Sequence, residues 1–239
     1  MVFENRRDAG RHLAEALQGF AGRGDVIVLG VPRGGVVVAS EITSTLRVPL
    51  DIFLSRKLSV PGQEELAFGA VAVGSSLYLN QQITAMARLT LPQIERAAAE
   101  ATKTLARRAV LYRDNHPPLQ IAGKVVILVD DGIATGASMV AAIQALHQME
   151  PAKLILAVPV APPSTCAWLR PLVDELVCLD EPEDFQAVGQ FYRDFTQLTD
   201  DEVIDLLRKA DSTPDNRNDA DSQTEVNPVS RTSPRYPMA

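Results

Sequence analysis

The stretch VVILVDDGIATGAS, Val125–Ser138, decides how the rest of the chain is read. Val125–Val129 is an unbroken apolar run, the pattern of a strand buried on both faces. It stops at two adjacent carboxylates, Asp130 and Asp131, and small residues follow: Gly132, Ala134, Thr135, Gly136, Ala137 and Ser138. A helical pattern begins behind them. Small residues let backbone N–H groups face an anion, and a helix N-terminus adds a favourable dipole. Thr135 and Ser138 add hydroxyl donors. The acids repel phosphate, but they accept hydrogen bonds from vicinal sugar hydroxyls and attract Mg²⁺ through water. Together these features read as a site for a ribose 5-phosphate. The plainer alternative is a strand–loop–helix turn whose acids cap the helix. A Walker-type phosphate loop is excluded, because no Lys follows a Gly at the loop end.

Outward from this stretch, apolar runs alternate with helical patterns. Ala9, Leu13, Leu17 and Phe20 share one helical face within Arg6–Phe20. Val26–Val31 is a short buried-strand pattern, broken by Pro32-Arg33-Gly34-Gly35 before a helix over Val36–Leu46. Leu50–Leu54 is a second strand. Phe68–Val73 and Leu77–Asn80 flank Gly74-Ser75 and predict a hairpin. The spacing of Leu91, Ile94, Ala98, Ala101, Leu105, Ala109 and Tyr112 predicts one long helix with an apolar stripe. Leu154–Val160 and Glu175–Cys178 are further strands, and Gly136–Met149 and Pro163–Leu169 are helices. Thr199-Asp200-Asp201-Glu202 is a capping box opening a helix over Val203–Lys209. This alternation predicts an α/β fold with a mostly parallel central sheet flanked by helices, over one domain at residues 1–210. Such sheets bind ligands at the carboxyl ends of their strands.

From Asp211 to Ala239 the chain turns rich in Asp, Asn, Ser, Thr and Pro and reads as a disordered tail. A net charge of −7 argues against nucleic acid or an anionic membrane surface as partner. The N-terminus has no signal-peptide core and no apolar run reaches a membrane span, so the expected place is the cytoplasm. Cys166 and Cys178 have no metal-ligand spacing and read as two thiols in a reducing compartment. His12, His116 and His147 show no metal spacing either, and structural or solvated roles are expected of them.

The apolar strand, the paired acids and the ATGAS loop resemble the signature of the type I phosphoribosyltransferase family. The resemblance runs over about residues 3–207 and is closest to stand-alone members without an assigned substrate. It implies a phosphoribosyltransferase that moves 5-phosphoribosyl from phosphoribosyl pyrophosphate to a purine or pyrimidine base and releases pyrophosphate. It also implies Mg²⁺, small-molecule substrates only and a small hood beside the sheet. A homodimer is implied by the family and suggested by the long apolar helix. Asp130 and Asp131 would meet the ribose hydroxyls and hold Mg²⁺ through water. Ala134, Thr135, Gly136, Ala137 and Ser138 would wrap the 5-phosphate. Arg33, with Gly34 and Gly35, would meet pyrophosphate. Arg56-Lys57 would open a mobile loop and bring two further cations to it. An ordinary glycine turn and a solvated charge pair are the plain readings of those last two segments.

The sequence also departs from the family pattern. Members that use 6-oxopurines place Asp where Ala134 stands, and members acting on orotate place Lys where Val60 stands. Glu64 and Glu65 lie in the expected loop, and Glu65 is the acid–base candidate, with two solvated loop acids as the alternative. In LDEPEDFQAVGQFYRDF, Leu179–Phe195, Phe185 is expected to stack on the base, with Tyr192 as second choice and Val188 beside the base edge. Those aromatics would equally serve as core anchors. Two other functions fit the same residues: a non-catalytic sensor of phosphoribosyl pyrophosphate or nucleotide, and a hydrolase of the same ligand.

Overall fold

The computed structural model describes residues 1–72, 76–113 and 120–211. The predicted tail beyond Asp211, the Gly74-Ser75 turn and His116 lie outside the described residues.

Five strands form the central parallel sheet: β1 (Val26–Gly30), β2 (Leu50–Ile52), β6 (Val125–Val129), β7 (Lys153–Val160) and β8 (Glu175–Asp180). Their order is β2-β1-β6-β7-β8. All five residues of β1 and all five of β6 are buried, because helices cover both faces. Alternating side chains sort to opposite faces. Val28, Ile127 and Ile155 are register partners and join Leu13, Ile42 and Val203 in one cluster. That face carries α1 (Arg6–Ala16), α2 (Gly34–Leu46) and α7 (Asp200–Asp211). Leu29, Leu128 and Leu156 face the other way, onto Ile143, Leu146 and Leu169 of α5 (Ala137–His147) and α6 (Pro163–Leu169).

A second sheet is antiparallel: β3 (Ser55–Val60), β4 (Gln63–Ala72) and β5 (Ser76–Leu79). The expected β4–β5 hairpin is present, with Ala72 opposite Ser76. The segment expected to be a mobile loop after Arg56-Lys57 is instead another hairpin. Val60 pairs with Gln63 across Pro61-Gly62, and Gly62 has φ 76°. Pro then Gly with positive φ is the chemistry of a type II turn, a signal present in the sequence as VPGQ. α3 (Gln81–Met86) and α4 (Leu91–Arg113) follow, and Ile94, Ala101, Leu105 and Tyr112 of α4's stripe are buried in the first cluster.

The expected first helix stops early. α1 ends at Ala16, and Gln18–Phe20 is a separate short 3₁₀ turn. The capping box at α7 forms as predicted: Thr199 N–H donates to Glu202 Oε2 at 2.7 Å and Glu202 N–H donates to Thr199 Oγ1 at 3.3 Å. Among the described residues, no helix is long and apolar enough to cross a membrane.

Candidate functional site

The sheet order places β1 beside β6, with chain connections leaving in opposite directions, so a crevice opens at their carboxyl ends. Two helices start there, α2 after β1 and α5 after β6. Neither has a side-chain N-cap. Helices α1 and α3, by contrast, are capped by Asn5 and Asn80, and α7 by Thr199. Among the described residues the crevice thus has two helix N-termini without a side-chain cap, a geometry suited to anions.

Glycine makes the approach of α2 to β6 feasible. A Cβ on Gly35 would sit 2.5 Å from the Val129 carbonyl oxygen and 2.9 Å from Asp130 Cα. A Cβ on Gly34 would lie 1.8 Å from Asp131 Oδ2. The turn before α2 and the acids after β6 are therefore in direct contact.

Residues 134–138 form the loop entering α5. Ala134, Thr135 and Ser138 are exposed. Gly136 takes φ 77° at the helix start, a conformation glycine adopts without cost. Behind it, Thr165 of α6 donates to the Ala134 carbonyl at 2.7 Å. Trp168 lies under Gly136, 3.4 Å from where a Cβ would stand. Helix α6 braces the loop from below.

The two acids are not equivalent. Asp131 Oδ2 accepts from Arg6 Nε at 2.6 Å, with side-chain exposures of 12% for Arg6 and 16% for Asp131. Arg6 also donates to the Thr196 carbonyl at 3.0 Å, and its guanidinium lies 3.8 Å over the Phe195 ring. Phe195 in turn stacks on Tyr192, whose hydroxyl donates to the Asp131 carbonyl at 2.6 Å. Burial pushes the Tyr192 phenol up, so it stays a neutral donor. Among the described residues no cation forms an ion pair with Asp130. Its burial, and then the charge on Asp131, push its carboxyl well above the usual carboxylate range.

That shift sets a pH dependence. A carboxyl that holds its proton more tightly folded than unfolded stabilises the fold at low pH. The contribution fades as pH rises from the ordinary value of 3.8 through the raised one. Asp130→Asn keeps the oxygen that accepts from the Asp131 N–H at 2.9 Å but carries no charge. Urea unfolding across pH is expected to show the stability difference, variant minus parent, growing as pH rises; a difference independent of pH contradicts the assignment.

The expected site residues divide into three groups. Arg33, Gly34, Gly35, Asp130, Asp131 and the loop 134–138 are assembled around the crevice. Arg33, Gly34 and Asp131, with Arg6, Phe195, Gln197 and Leu198, line a cavity of about 420 Å³. Arg33 makes a long ion pair of 3.8 Å with Asp200, which also accepts from the Tyr112 hydroxyl at 2.5 Å. Burial and then that bond push Tyr112 up to about 12.

Arg56 and Lys57 belong to the small sheet. They sit on β3 opposite Val71 and Ala70, inside a strand rather than at the mouth of a loop, and neither is among the residues lining the cavity. Glu64 and Glu65 are strand residues of β4; their side chains lie outside the described residues.

The hood, within Leu179–Phe195, belongs to a third cluster. Phe185 stacks on Phe191 at 5.2 Å and is only partly buried, and Val188 packs where a Cβ on Gly132 would stand. Tyr192, the second-choice stacking ring, is corrected to an anchor: it is 6% exposed, lies against Phe3 and Phe195, and ties the hood to Asp131.

Sequence reasoning passed over Arg6 and Phe195. Arg6 is held in place because Phe3 pairs with the hood, donating to the Phe191 carbonyl at 2.8 Å and accepting from Arg193 N–H at 2.9 Å. One signal was available. Arg6-Arg7 opens a helix behind the Asn5 cap, where the helix dipole disfavours cations.

The family profile described as phosphoribosyl transferase domain matches residues 3–196. Two Mycobacterium tuberculosis proteins, each with a provisional phosphoribosyl transferase name, are 42% identical over 209 residues. The match covers 87% of this chain and 47% of theirs, so the chain spans about half the length of these curated relatives. A Thermus thermophilus protein of known crystal structure is 43% identical with a TM-score of 0.80, over 87% of this chain and 99% of that one.

Proposed function

The chain belongs to the phosphoribosyl transferase family, and from that premise we propose that it moves 5-phosphoribosyl from phosphoribosyl pyrophosphate to a purine or pyrimidine base and releases pyrophosphate. One observation carries the reading: two helix N-termini without side-chain caps flank a pair of acids in one crevice. That spacing of charge suits a donor with phosphate at one end, pyrophosphate at the other and sugar hydroxyls between.

In this reading the loop 134–138 and the N-terminus of α5 hold the 5-phosphate. Asp130 and Asp131 accept from the ribose hydroxyls. The N-terminus of α2 and Arg33 take the pyrophosphate, with Arg56 and Lys57 as further cations when the small sheet closes on it. Fixing both ends aligns the anomeric carbon with the attacking nitrogen, and fixed cations stabilise charge growing on the leaving group. Asp130 and Asp131 would offer Mg²⁺ a hard-oxygen donor set, Asp130 giving up its tightly held proton as the ion binds. Asp131 is already paired with Arg6, so contact through water fits best, and the ion would neutralise pyrophosphate charge. Glu65 is the acid–base group of this proposal. Phe185 stacks on the base and Val188 borders it.

Base–aromatic stacking is worth roughly 1–3 kcal/mol. Phe185→Ala is therefore expected to raise the acceptor KM about tenfold, with donor affinity unchanged. Steady-state kinetics in each substrate measure this, and an unchanged acceptor KM removes Phe185 from the base site.

The reaction is tested by pyrophosphate release and nucleotide formation with a panel of bases. A second reading, a sensor without turnover, draws on Val60. The position where orotate-using members carry a proton-handling Lys is 6% exposed on an apolar hairpin face. Calorimetric binding of the donor with no turnover across the panel favours the sensor. Pyrophosphate release without any base favours the hydrolase.

A further inference from the structure

We propose a second site, for a single zinc ion, at Cys166, Cys178 and Glu181. In sequence the two cysteines show no metal-ligand spacing. The fold brings them together: Cys166 comes from α6, Cys178 from β8, and Glu181 follows the end of that strand. One ligand atom from each, two sulfurs and a carboxylate oxygen, lies within 4.8 Å of the others. Zinc takes such mixed sulfur and oxygen donors at about 2.0–2.3 Å, which sets tetrahedral ligand atoms roughly 3.5 Å apart. Closing the cluster on an ion thus needs shifts of about an ångström.

Burial grades across the cluster. Cys166 is buried, Cys178 is half-buried and Glu181 is exposed, so one side of the cluster reaches solvent. The charges also close. Two thiolates, one carboxylate and Zn²⁺ leave one negative charge, and Arg170 stands 3.1 Å from Glu181 Oε1 to offset it. On binding, each thiol gives its proton to solvent and its sulfur bonds the metal, with no change of oxidation state. The softer donors select zinc over Mg²⁺, which prefers an all-oxygen shell.

The position gives the ion a consequence. Helix α6 also carries Thr165 and Trp168, which brace the loop at Ala134 and Gly136. Strand β8 leads directly into the hood. A zinc clip joins these two elements and stiffens the platform between them.

The test uses the untagged full chain, treated with chelator, kept reduced and titrated with Co²⁺. The expected result is one equivalent bound with a near-ultraviolet sulfur-to-cobalt charge-transfer band, bleached by equimolar Zn²⁺. Carboxylate sites elsewhere in the chain give no such band. Cys178→Ser abolishes the band. Glu181→Gln, an exposed change that leaves folding intact, weakens binding at least tenfold. Zinc raises the melting temperature of the parent and not of Cys178→Ser. Absence of the band in the parent, an equal band in Cys178→Ser, or unchanged Co²⁺ affinity in Glu181→Gln overturns the site.

Discussion

Gly35→Ala is expected to lower stability by about 3 kcal/mol, near the upper end of overpacking costs. For a domain of this size that corresponds to a drop in melting temperature of roughly 6–12 °C. The new methyl group would meet the Val129 carbonyl oxygen at 2.5 Å and Asp130 Cα at 2.9 Å. Both are backbone atoms of the central sheet and its exit, and they have no rotamer through which to yield. Helix α2 must back away from β6, which opens the crevice as well as the core. Gly34→Ala is the internal control. Its methyl group meets Asp131 Oδ2 and Arg6 Nε, which are side-chain ends. Those side chains can yield where backbone cannot, so the cost is expected to be below that of Gly35→Ala, while Asp131 is displaced and donor binding suffers. Urea unfolding of both variants checks the order; equal costs would show that the close approach of α2 to β6 is not what Gly35 provides.

Arg6→Ala is the second large effect. The substitution deletes the ion pair to Asp131, the bond to the Thr196 carbonyl and the layer over Phe195. Removing one partner of a mostly buried pair costs about 2–4 kcal/mol. The larger consequence is electrostatic. Asp131 then stands next to Asp130 without that cation, in the crevice proposed for a polyanionic donor. Donor affinity is expected to fall at least tenfold, about 1.4 kcal/mol. Arg6→Lys keeps the charge but lacks the planar fork that reaches Asp131 and Thr196 while lying on a ring. It is expected to fall between the two in affinity. Calorimetric titration of the three proteins measures this, and a donor affinity untouched in Arg6→Ala separates Arg6 from the site.

Local patterns carried much of this molecule. The run Val125–Val129 is a strand because five consecutive apolar residues suit a sheet covered on both sides, and the small residues behind it mark the loop because nothing larger leaves its amides open. The Thr199 capping box needed only its own four residues. The hairpin at Pro61-Gly62 was also local, yet a resemblance to loops opened by Arg-Lys outweighed its turn chemistry. What no local pattern carries is a contact between distant residues. Arg6 meets Asp131 across 125 positions, and the link runs through Phe3, Tyr192 and Phe195 of the hood. Cys166 and Cys178 meet because a helix packs on the strand that follows it. Tyr192 looked like a stacking ring because aromatics in a hood suggest a base, whereas its burial is settled by its neighbours.

The acids after β6, between the starts of α2 and α5, are the groups proposed to receive the ribose of phosphoribosyl pyrophosphate. Calorimetric titration of that donor, with Mg²⁺, into the parent chain and into Asp131→Asn tests this most directly. One site per chain is expected in the parent, with at least a hundredfold weaker binding in Asp131→Asn, about 2.7 kcal/mol. Equal binding by the two proteins, with the variant folded, would contradict it.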